Sequence, residues 1–478
     1  MSSNESSLAM QRIARFVDEN SFMEIGSQVT ARNTDFNLSA LKSASDGVIT
    51  GYGLVDSNLV FIYSQDAGVL NGTIGEMHAK KIANIYDMAM KMGAPVVGFM
   101  DCGGVRLQES IDALDGFGLI YAKQVEASGV IPQMSVVFGN CGGGLSVVPA
   151  LSDFAFIETE KGRMFVNSPD AICGNRVEKC DSAAADFQSE HNGCIDFAGS
   201  EEEIFDRIRT LINILPQNNE GDVYTSDCED DLNRACESMD TMAADPRYLL
   251  AELSDSHIFV ETKASFAKNM VTGFIQLNGM TIGAVANCAK TYDENGDEAE
   301  DFGKRLTPNG CRKAAEFVSF CDAFDIPVLS VTNTTGFATT MCAEKNLAKD
   351  MAKLTAAFAN ADVPKVNLIT EEAYGSAYVV MNSKSVGADL VYAWNGAKVG
   401  MMDSEMAAKI MYPQADATEL KEKRNEYEAL CANASAAASR GYVDFMLEPA
   451  DTRKYLVAAF ELLYSKCISP IDKKHTTK

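Results

Sequence analysis

Four glycine-bearing turns are the places in this 478-residue chain best suited to chemistry. They are Gly103-Gly104-Val105, Gly142-Gly143-Gly144, Gly336-Phe337 and Gly375-Ser376. Each follows an apolar run that reads as a strand. Glycine adopts positive φ and lets a backbone approach a ligand closely. Where such a turn leads into a helix, the first N–H groups lack an intrahelical acceptor and point outward. Two N–H groups converging on one point hold an oxyanion. Two pairs of turns therefore suggest two holes and chemistry between two enolate-like oxygens. A plain strand-to-helix turn is the alternative for any one of them.

Side-chain chemistry is thinly represented. His78, His191, His257 and His475 stand far apart, with no HExxH or HxH spacing, so no metal site is expected. The 13 cysteines include no CxxC pair, which argues against a zinc ribbon and a disulfide framework. No Ser/His/Asp or paired-carboxylate pattern stands out. Glu109 is the one obvious carboxylate near the first two turns.

The elements that position the turns are duplicated. GAPVVGFMDCGG (93–104) and FDIPVLSVTNTTGF (324–337) both read as a Pro-led strand ending in a turn. Pro95 and Pro327, Asp101 and Asn333, and Gly104 and Gly336 are each 232 residues apart. IPQMSVVFGNCGGG (131–144) parallels VPKVNLITEEAYGS (363–376), and Pro132–Pro364 and Gly143–Gly375 keep the same spacing. A fixed offset over two segments implies two homologous halves, 1–240 and 245–478, with the polar stretch 216–231 as the linker zone. EMHAKKIANIYDMAMKMG and CRKAAEFVSFCDAF have helical apolar spacing ahead of each strand. Strand–helix–strand alternation predicts an α/β fold with largely parallel pairing. The segment 292–303 is an acidic insertion and is expected to be a solvated loop.

Composition sets limits. Hydrophobic residues make up 46% and charged residues 23%, an ordinary globular balance. The 41 Lys and Arg against 67 Asp and Glu give a net charge of −26. Nucleic acid is therefore not an expected partner, and an anionic ligand would need local cations or backbone N–H groups. The opening residues show no apolar signal region, and no apolar run is long enough to span a bilayer.

The segments GVITGYGLVDSNLVFIYSQD (47–66), GEMHAKKI (75–82), DCGGVRLQES (101–110) and GNCGGGLSVVPALSDFAFI (139–157) carry a family resemblance. So do KAAEFVSFCDAFDIPVL (313–329), TTGF (334–337), VPKVNLITEEAYGSAY (363–378), GADLVYAW (387–394), RGYVDFMLEPADTRKYL (440–456) and PIDKKH (470–475). On these the chain resembles the carboxyltransferases of the biotin-dependent acyl-CoA carboxylase and decarboxylase family. That family includes propionyl-CoA carboxylase β subunits, transcarboxylase large subunits and methylmalonyl-CoA decarboxylase α subunits. The resemblance implies two tandem crotonase-like halves, ββα spirals, the first binding acyl-CoA and the second biotin. It implies an active site between subunits of a homodimer or trimer of dimers. It implies biotin on a separate carboxyl carrier protein, with a biotin carboxylase or a membrane sodium-pump decarboxylase subunit as further partner. The implied location is cytoplasmic, at most peripheral to a membrane complex.

The mechanism the resemblance implies is carried by backbone donors. Carboxybiotin releases CO2, and its ureido oxygen sits in a hole made by Gly336, Phe337, Gly375 and Ser376, with Tyr374 and Ala377 completing the biotin contacts. The thioester enolate of a propionyl/methylmalonyl or acetyl/malonyl group sits in a hole made by Val105, Gly143 and Gly144. Gly103, Gly104, Gly142, Arg106, Lys80 and Lys81 are the candidates for the CoA side. Arg106 has a helix-face salt bridge as its alternative, and Lys80 and Lys81 have plain surface charge. Glu371 and Glu372 stand where the family commonly has a basic pair, Asn333-Thr334-Thr335 replaces an acidic, proline-containing turn, and Ser376 replaces a second glycine. A biotin-independent crotonase-type hydratase or isomerase and a catalytically weakened assembly subunit are the competing readings. Ala89-Met90-Lys91-Met92 spells a biotin attachment consensus, but it closes a helical pattern and is read as a decoy.

Overall fold

The computed structural model describes residues 7–32, 43, 45–293 and 295–467; the matched tail 470–475, with His475, and residues 1–6 lie outside them. Two compact units divide the chain, Met1–Asp222 and Val223–Lys478. Residues 223–240, grouped with the first half on sequence, thus belong to the second unit, and the break falls inside the polar stretch 216–231.

The first unit runs α1 (Leu8–Phe16), β1 (Met23–Glu24), β2 (Val48–Val55), β3 (Asn58–Gln65), α2 (Glu76–Met92), β4 (Val96–Cys102), α3 (Ser110–Ala127), β5 (Gln133–Gly142), α4 (Val147–Leu151), β6 (Phe154–Glu158), β7 (Arg163–Phe165), α5 (Asn175–Glu178), α6 (Ala185–Glu190), β8 (Phe197–Gly199) and α7 (Glu201–Ile214). Its sheet has the order β1-β2-β3-β4-β5-β6-β8, with β7 also beside β5. The β1–β2–β3 pairings are antiparallel, and every later pairing is parallel.

The second unit runs α8 (Pro246–Leu253), β9 (Val260–Thr262), β10 (Met270–Leu277), β11 (Met280–Asn287), β12 (Lys290–Tyr292), β13 (Glu298–Asp301), β14 (Arg305–Leu306), α9 (Pro308–Ala323), β15 (Val328–Thr334), β16 (Gly336–Phe337), α10 (Met341–Glu344), α11 (Leu347–Asn360), β17 (Lys365–Tyr374), α12 (Gly375–Val380), β18 (Leu390–Trp394), β19 (Lys398–Gly400), α13 (Ser404–Met411), α14 (Ala417–Cys431), α15 (Ala434–Ala438), β20 (Phe445–Leu447) and α16 (Thr452–Leu463). Its main sheet, β9-β10-β11-β15-β17-β18-β20 with β19 beside β17, repeats the first strand for strand.

The sequence dictates these elements locally. The Ser7 side chain caps α1 by accepting the Met10 N–H at 3.2 Å. Ser200 and Glu203 close a capping box on α7. Gly93, at φ +62°, ends α2 in the left-handed region and leaves the AMKM tetrapeptide inside the helix. All eight residues of β10 and all eight of β11 are buried. The two strands form an antiparallel hairpin, so their two-faced burial marks a sheet covered on both faces. In the first unit Val96, Ile82, Ile85, Met100 and Val137 meet between sheet and helices, each such side chain contributing about 1.5–3 kcal/mol by leaving water. The acidic insertion is exposed as expected, but it is a hairpin of β12 and β13 rather than a loop, tied by Lys290 to Glu298 at 2.6 Å. Among the described residues no helix is long and apolar enough to cross a membrane.

Candidate active site

The first pair of turns is set side by side by the pairing of β4 with β5, which extends to Cys102 opposite Cys141. A bulge at Asp101 interrupts that register. The Asp101 N–H is taken up by Gln65 Oε1 at 3.2 Å. Gln65 Nε2 lies 3.2 Å from His78 Nε2, and His78 Nδ1 lies 3.1 Å from the Asp46 carbonyl oxygen. These partners assign a neutral ring with its proton on Nδ1. Burial, helped by the Arg106 charge, pushes the His78 pKa down to about 3. His78 is thus a strut behind the turn and not a base.

Beyond the bulge, Ile74 donates its N–H to the Gly104 oxygen and Arg106 donates its N–H to the Ile74 oxygen, both at 2.9 Å. Gly103 donates to the Asn71 oxygen at 2.9 Å, and Gly104 donates to Cys102 Sγ at 3.2 Å. Val105 is left as the residue whose N–H finds no acceptor among the described residues. Alongside it, Gly143 at φ +62° and Gly144 open a short helical turn that runs into α4. The first N–H groups of such a turn have no acceptor within it. Tyr121 donates its hydroxyl to the Gly144 oxygen. A Cβ on residue 144 would stand 2.9 Å from that hydroxyl, and one on residue 142 would stand 2.7 Å from the Phe165 ring.

The second pair repeats this arrangement. The β15–β17 register breaks between Thr332 and Thr334, leaving a bulge at Asn333, 232 residues after Asp101. The Asn333 N–H is received by Asn287 Oδ1 at 2.7 Å, with no histidine behind it. The Ala338 N–H goes to the Leu306 oxygen at 2.9 Å, as Arg106 does to Ile74. Phe337 therefore stands where Val105 stands. Gly375, at φ +59°, opens α12 as Gly143 opens its turn. Ser376 is exposed, as Gly144 is. Lys353 in α11 replaces Tyr121 at the repeat position and turns to Asp350 at 3.8 Å, which leaves room for the serine side chain.

Several sequence expectations need correction. Arg106 does not reach a CoA phosphate. It is 2% exposed, and its guanidinium is held by Asp46 Oδ1 at 2.7 Å, Glu109 Oε1 at 2.8 Å, the Thr73 oxygen at 2.6 Å and Thr73 Oγ1 at 3.3 Å. Lys81 is buried too, donating to the Val48 oxygen at 2.5 Å, and burial lowers its pKa. Lys80 is exposed and paired with Glu76 at 2.6 Å. The N–H groups of Gly103 and Gly104 are spent within the turn. In the second half the side chains of Tyr374 and Ala377 are buried, so they present no face to a ligand in this chain. Glu109 accepts from Arg106 and from the Glu76 N–H at 2.6 Å, so it is committed to closing the start of α2. Burial raises the thiol pKa of Cys102 to about 11 and that of Cys141 well above its usual value. They are packing residues.

The residues that sequence reasoning passed over are among those supporting the turns: Gln65, Tyr121, Asn287 and Lys304. Lys304 sits 2.9 Å from Glu371 Oε2 and 2.9 Å from Glu372 Oε2. It thereby supplies the positive charge missing from the acidic pair. Asn333 Nδ2 donates to Glu371 Oε2 at 2.7 Å. An aspartate there would face Glu371 as a like charge, so the amide at 333 and the acid at 371 belong together.

A family model described as the carboxyl transferase domain matches residues 2–477. The chain is 38% identical over 487 residues to the propionyl-CoA carboxylase beta chain of Roseobacter denitrificans, covering 98% of this chain and 92% of that one. It is 37% identical over 485 residues to the methylmalonyl-CoA decarboxylase subunit alpha of Propionigenium modestum, with the same coverage of 98% and 92%. Its structure matches that of transcarboxylase 12S, a hexamer with hydrolysed methylmalonyl-CoA bound, at a TM-score of 0.90 and 32% identity, covering 98% of this chain and 91% of that one.

Proposed function

The chain belongs to the carboxyl transferase family and is a carboxyltransferase of the propionyl-CoA carboxylase and methylmalonyl-CoA decarboxylase type; on that premise we propose that its two turn pairs hold the two reacting partners. The acyl-CoA thioester, of the propionyl/methylmalonyl class, places its carbonyl oxygen at the Val105 and Gly143–Gly144 N–H groups. The Phe337 and Gly375–Ser376 N–H groups would hold the ureido oxygen of a biotin delivered on a separate carrier protein. The observation that carries this reading is the repeat of one backbone arrangement, bulge, bridge and positive-φ glycine, at a spacing of 232 residues.

The donor set fits both ligands. Each turn pair offers neutral N–H groups to a single oxygen that gains negative charge in the transition state, where preorganised donors act most strongly. Biotin, when bound, supplies the carboxyl group or accepts it. The chain itself holds the thioester oxygen as the α-carbon becomes nucleophilic, and Tyr121 fixes the Gly144 peptide. His78 is neutral and buried behind the turn, and Glu109 is tied to Arg106. No general base from the first half is thus required. This commitment of Glu109 also disfavours the hydratase or isomerase reading, which needs a free carboxylate at the acyl site.

Exposed apolar residues support a multimer in which copies complete each other's sites. Leu107 just before α3 and Ile111 and Leu114 at its start are exposed next to the first turn, and Met406 and Ile410 are exposed on α13. Such groups on a surface otherwise rich in charge favour a covering partner.

The test is a decarboxylation assay on the purified chain with malonyl-CoA, methylmalonyl-CoA and glutaconyl-CoA, each with and without free biotin, following acyl-CoA species by chromatography. Biotin-dependent loss of methylmalonyl-CoA is the expected result. Loss that is indifferent to biotin, or equal for all three, would overturn the assignment.

A further inference from the structure

A slot that is filled in the first half stands open in the second. In the first half the Arg12 guanidinium lies 4.5 Å over the Phe138 ring, 3.5 Å from Asp101 Oδ2 and 3.4 Å from Glu201 Oε2. The 232-residue repeat puts Thr370 where Phe138 is, Asn333 where Asp101 is and Glu371 where Gly139 is. The helix in the place of α1 is α8, and its one arginine, Arg247, is turned back onto Asp245 at 2.5 and 2.9 Å. What remains is a cleft of about 350 Å³ lined by Asp240, Lys304, Thr370, Glu371, Glu372 and Trp394, among others.

Two independent features of this cleft point to an occupant. Thr370 is 3% exposed, and its Oγ1 is buried without a hydrogen-bond partner among the described residues. A buried hydroxyl of that kind normally has one. The carboxylates, second, outnumber the cations. Glu371 directs Oε2 to both Asn333 and Lys304, and Glu372 directs Oε2 to Lys304, which leaves each Oε1 without a partner among the described residues. Asp240 makes no ion pair among them, while Lys398 leans toward Glu428 at 3.8 Å. A planar guanidinium matches such a site. It carries five donors in a fixed fork, is weakly hydrated, and serves carboxylate oxygens and a hydroxyl at once.

We propose that this cleft is a binding site for a guanidinium-bearing group, a free small cation or an arginine side chain of a docking protein, taking the place that Arg12 takes in the first half. The proposal stands whether or not the second turn pair holds biotin.

Isothermal titration of the whole chain in its native oligomer with agmatine tests it. Saturable sub-millimolar binding is expected, and urea, the uncharged analogue, gives none. Glu371→Gln weakens the binding by about tenfold, the loss of one charge-assisted contact. Thr370→Val, nearly isosteric, removes the buried hydroxyl and weakens binding at least threefold. N-acetyl-arginine amide separates the sources, because tighter binding than agmatine marks a protein arginine and weaker binding marks a small molecule. No heat with either cation at 10 mM, or an unchanged affinity in Glu371→Gln, would overturn the site.

Discussion

The two halves share their backbone and differ in nearly everything that braces it. Both place a bulge before the first turn, both bridge the residue that follows the turn glycine, and both open the second turn with a glycine near φ +60°. The bulge at Asp101 is braced by Gln65, His78 and Asp46 in series, whereas Asn287 holds the Asn333 main chain and the Asn333 side chain reaches Ala243, Glu371 and Glu372. Tyr121 pins Gly144, and nothing of its kind pins Ser376. Arg12 fills one slot, and Lys304 bridges two glutamates near the other. The lesson is that the duplicated property is a set of main-chain donors, and that side chains were free to diverge provided those donors stayed in place.

The largest expected effect comes from striking the donors themselves. Gly143→Pro removes an N–H and demands φ near −65° where the chain has +62°. Turnover of acyl-CoA falls by about 10²–10³ or more, with the oligomer retained on size exclusion. Gly375→Pro does the same if the halves are equal in function. A variant at 375 that still consumes substrate at the normal rate would show that only the first half is catalytic.

A smaller effect sharpens the asymmetry between 144 and 376. Gly144→Ala brings a methyl to 2.9 Å from the Tyr121 hydroxyl, and kcat drops by about tenfold as the peptide shifts. Adding Tyr121→Phe restores much of it. Ser376→Gly changes kcat less than about twofold, because that position already tolerates both residues. Rescue of Gly144→Ala by Tyr121→Phe, measured as a double-mutant cycle, is the decisive readout.

Next comes Lys304. Lys304→Met leaves Glu371 and Glu372 as facing like charges, but these groups are partly exposed and screened. The cost is therefore only about 1 kcal/mol in denaturant unfolding, and adding Glu371→Gln recovers part of it.

The last effect concerns His78 and is silent at neutral pH. Its folded pKa of about 3 lies below the unfolded value of 6.5. Between those values the unfolded chain holds a proton that the folded chain refuses. This group's contribution is therefore full above pH 6.5 and shrinks as pH falls toward 3. Asp46, raised to about 6 by burial, acts in the opposite sense between 3.8 and 6. The clean measurement is a difference. The wild type loses stability on acidification more steeply than His78→Asn by at most about 1.4 kcal/mol per pH unit. In the wild type the His78 ring resonances do not titrate between pH 5 and 8.

The turns were legible in the sequence because glycines after apolar runs announce them, and the fixed spacing from Pro95 to Pro327 and from Gly143 to Gly375 exposed the duplication. The strands and the long helices α2 and α9 followed from periodicity. The direction of long side chains was not legible. Arg106 sits directly after a glycine turn and reads as a ligand, yet it points inward because Asp46, 60 residues away, is buried beside it. Lys81 shares a helix with Lys80 and lies on the opposite, buried face. The coupling of Asn333 with Glu371 and Lys304 needs two strands and the turn before β14 brought together, which no local pattern reveals. The pairing of β14 with β16, which sets Phe337 at the repeat position of Val105, is two residues long and gives no periodic signal.

Main-chain donors have a pharmacological consequence. An inhibitor that reads the Val105, Gly143 and Gly144 N–H groups recognises atoms that almost every amino acid supplies. Resistance by substitution then has few routes, since proline alone deletes an N–H and no proline fits at φ +62°. The thiols beside this turn, Cys102 and Cys141, are buried and protonated, so an alkylating warhead aimed at either has no thiolate to capture. Reversible acceptors shaped like an enolate are the chemical matter this surface rewards.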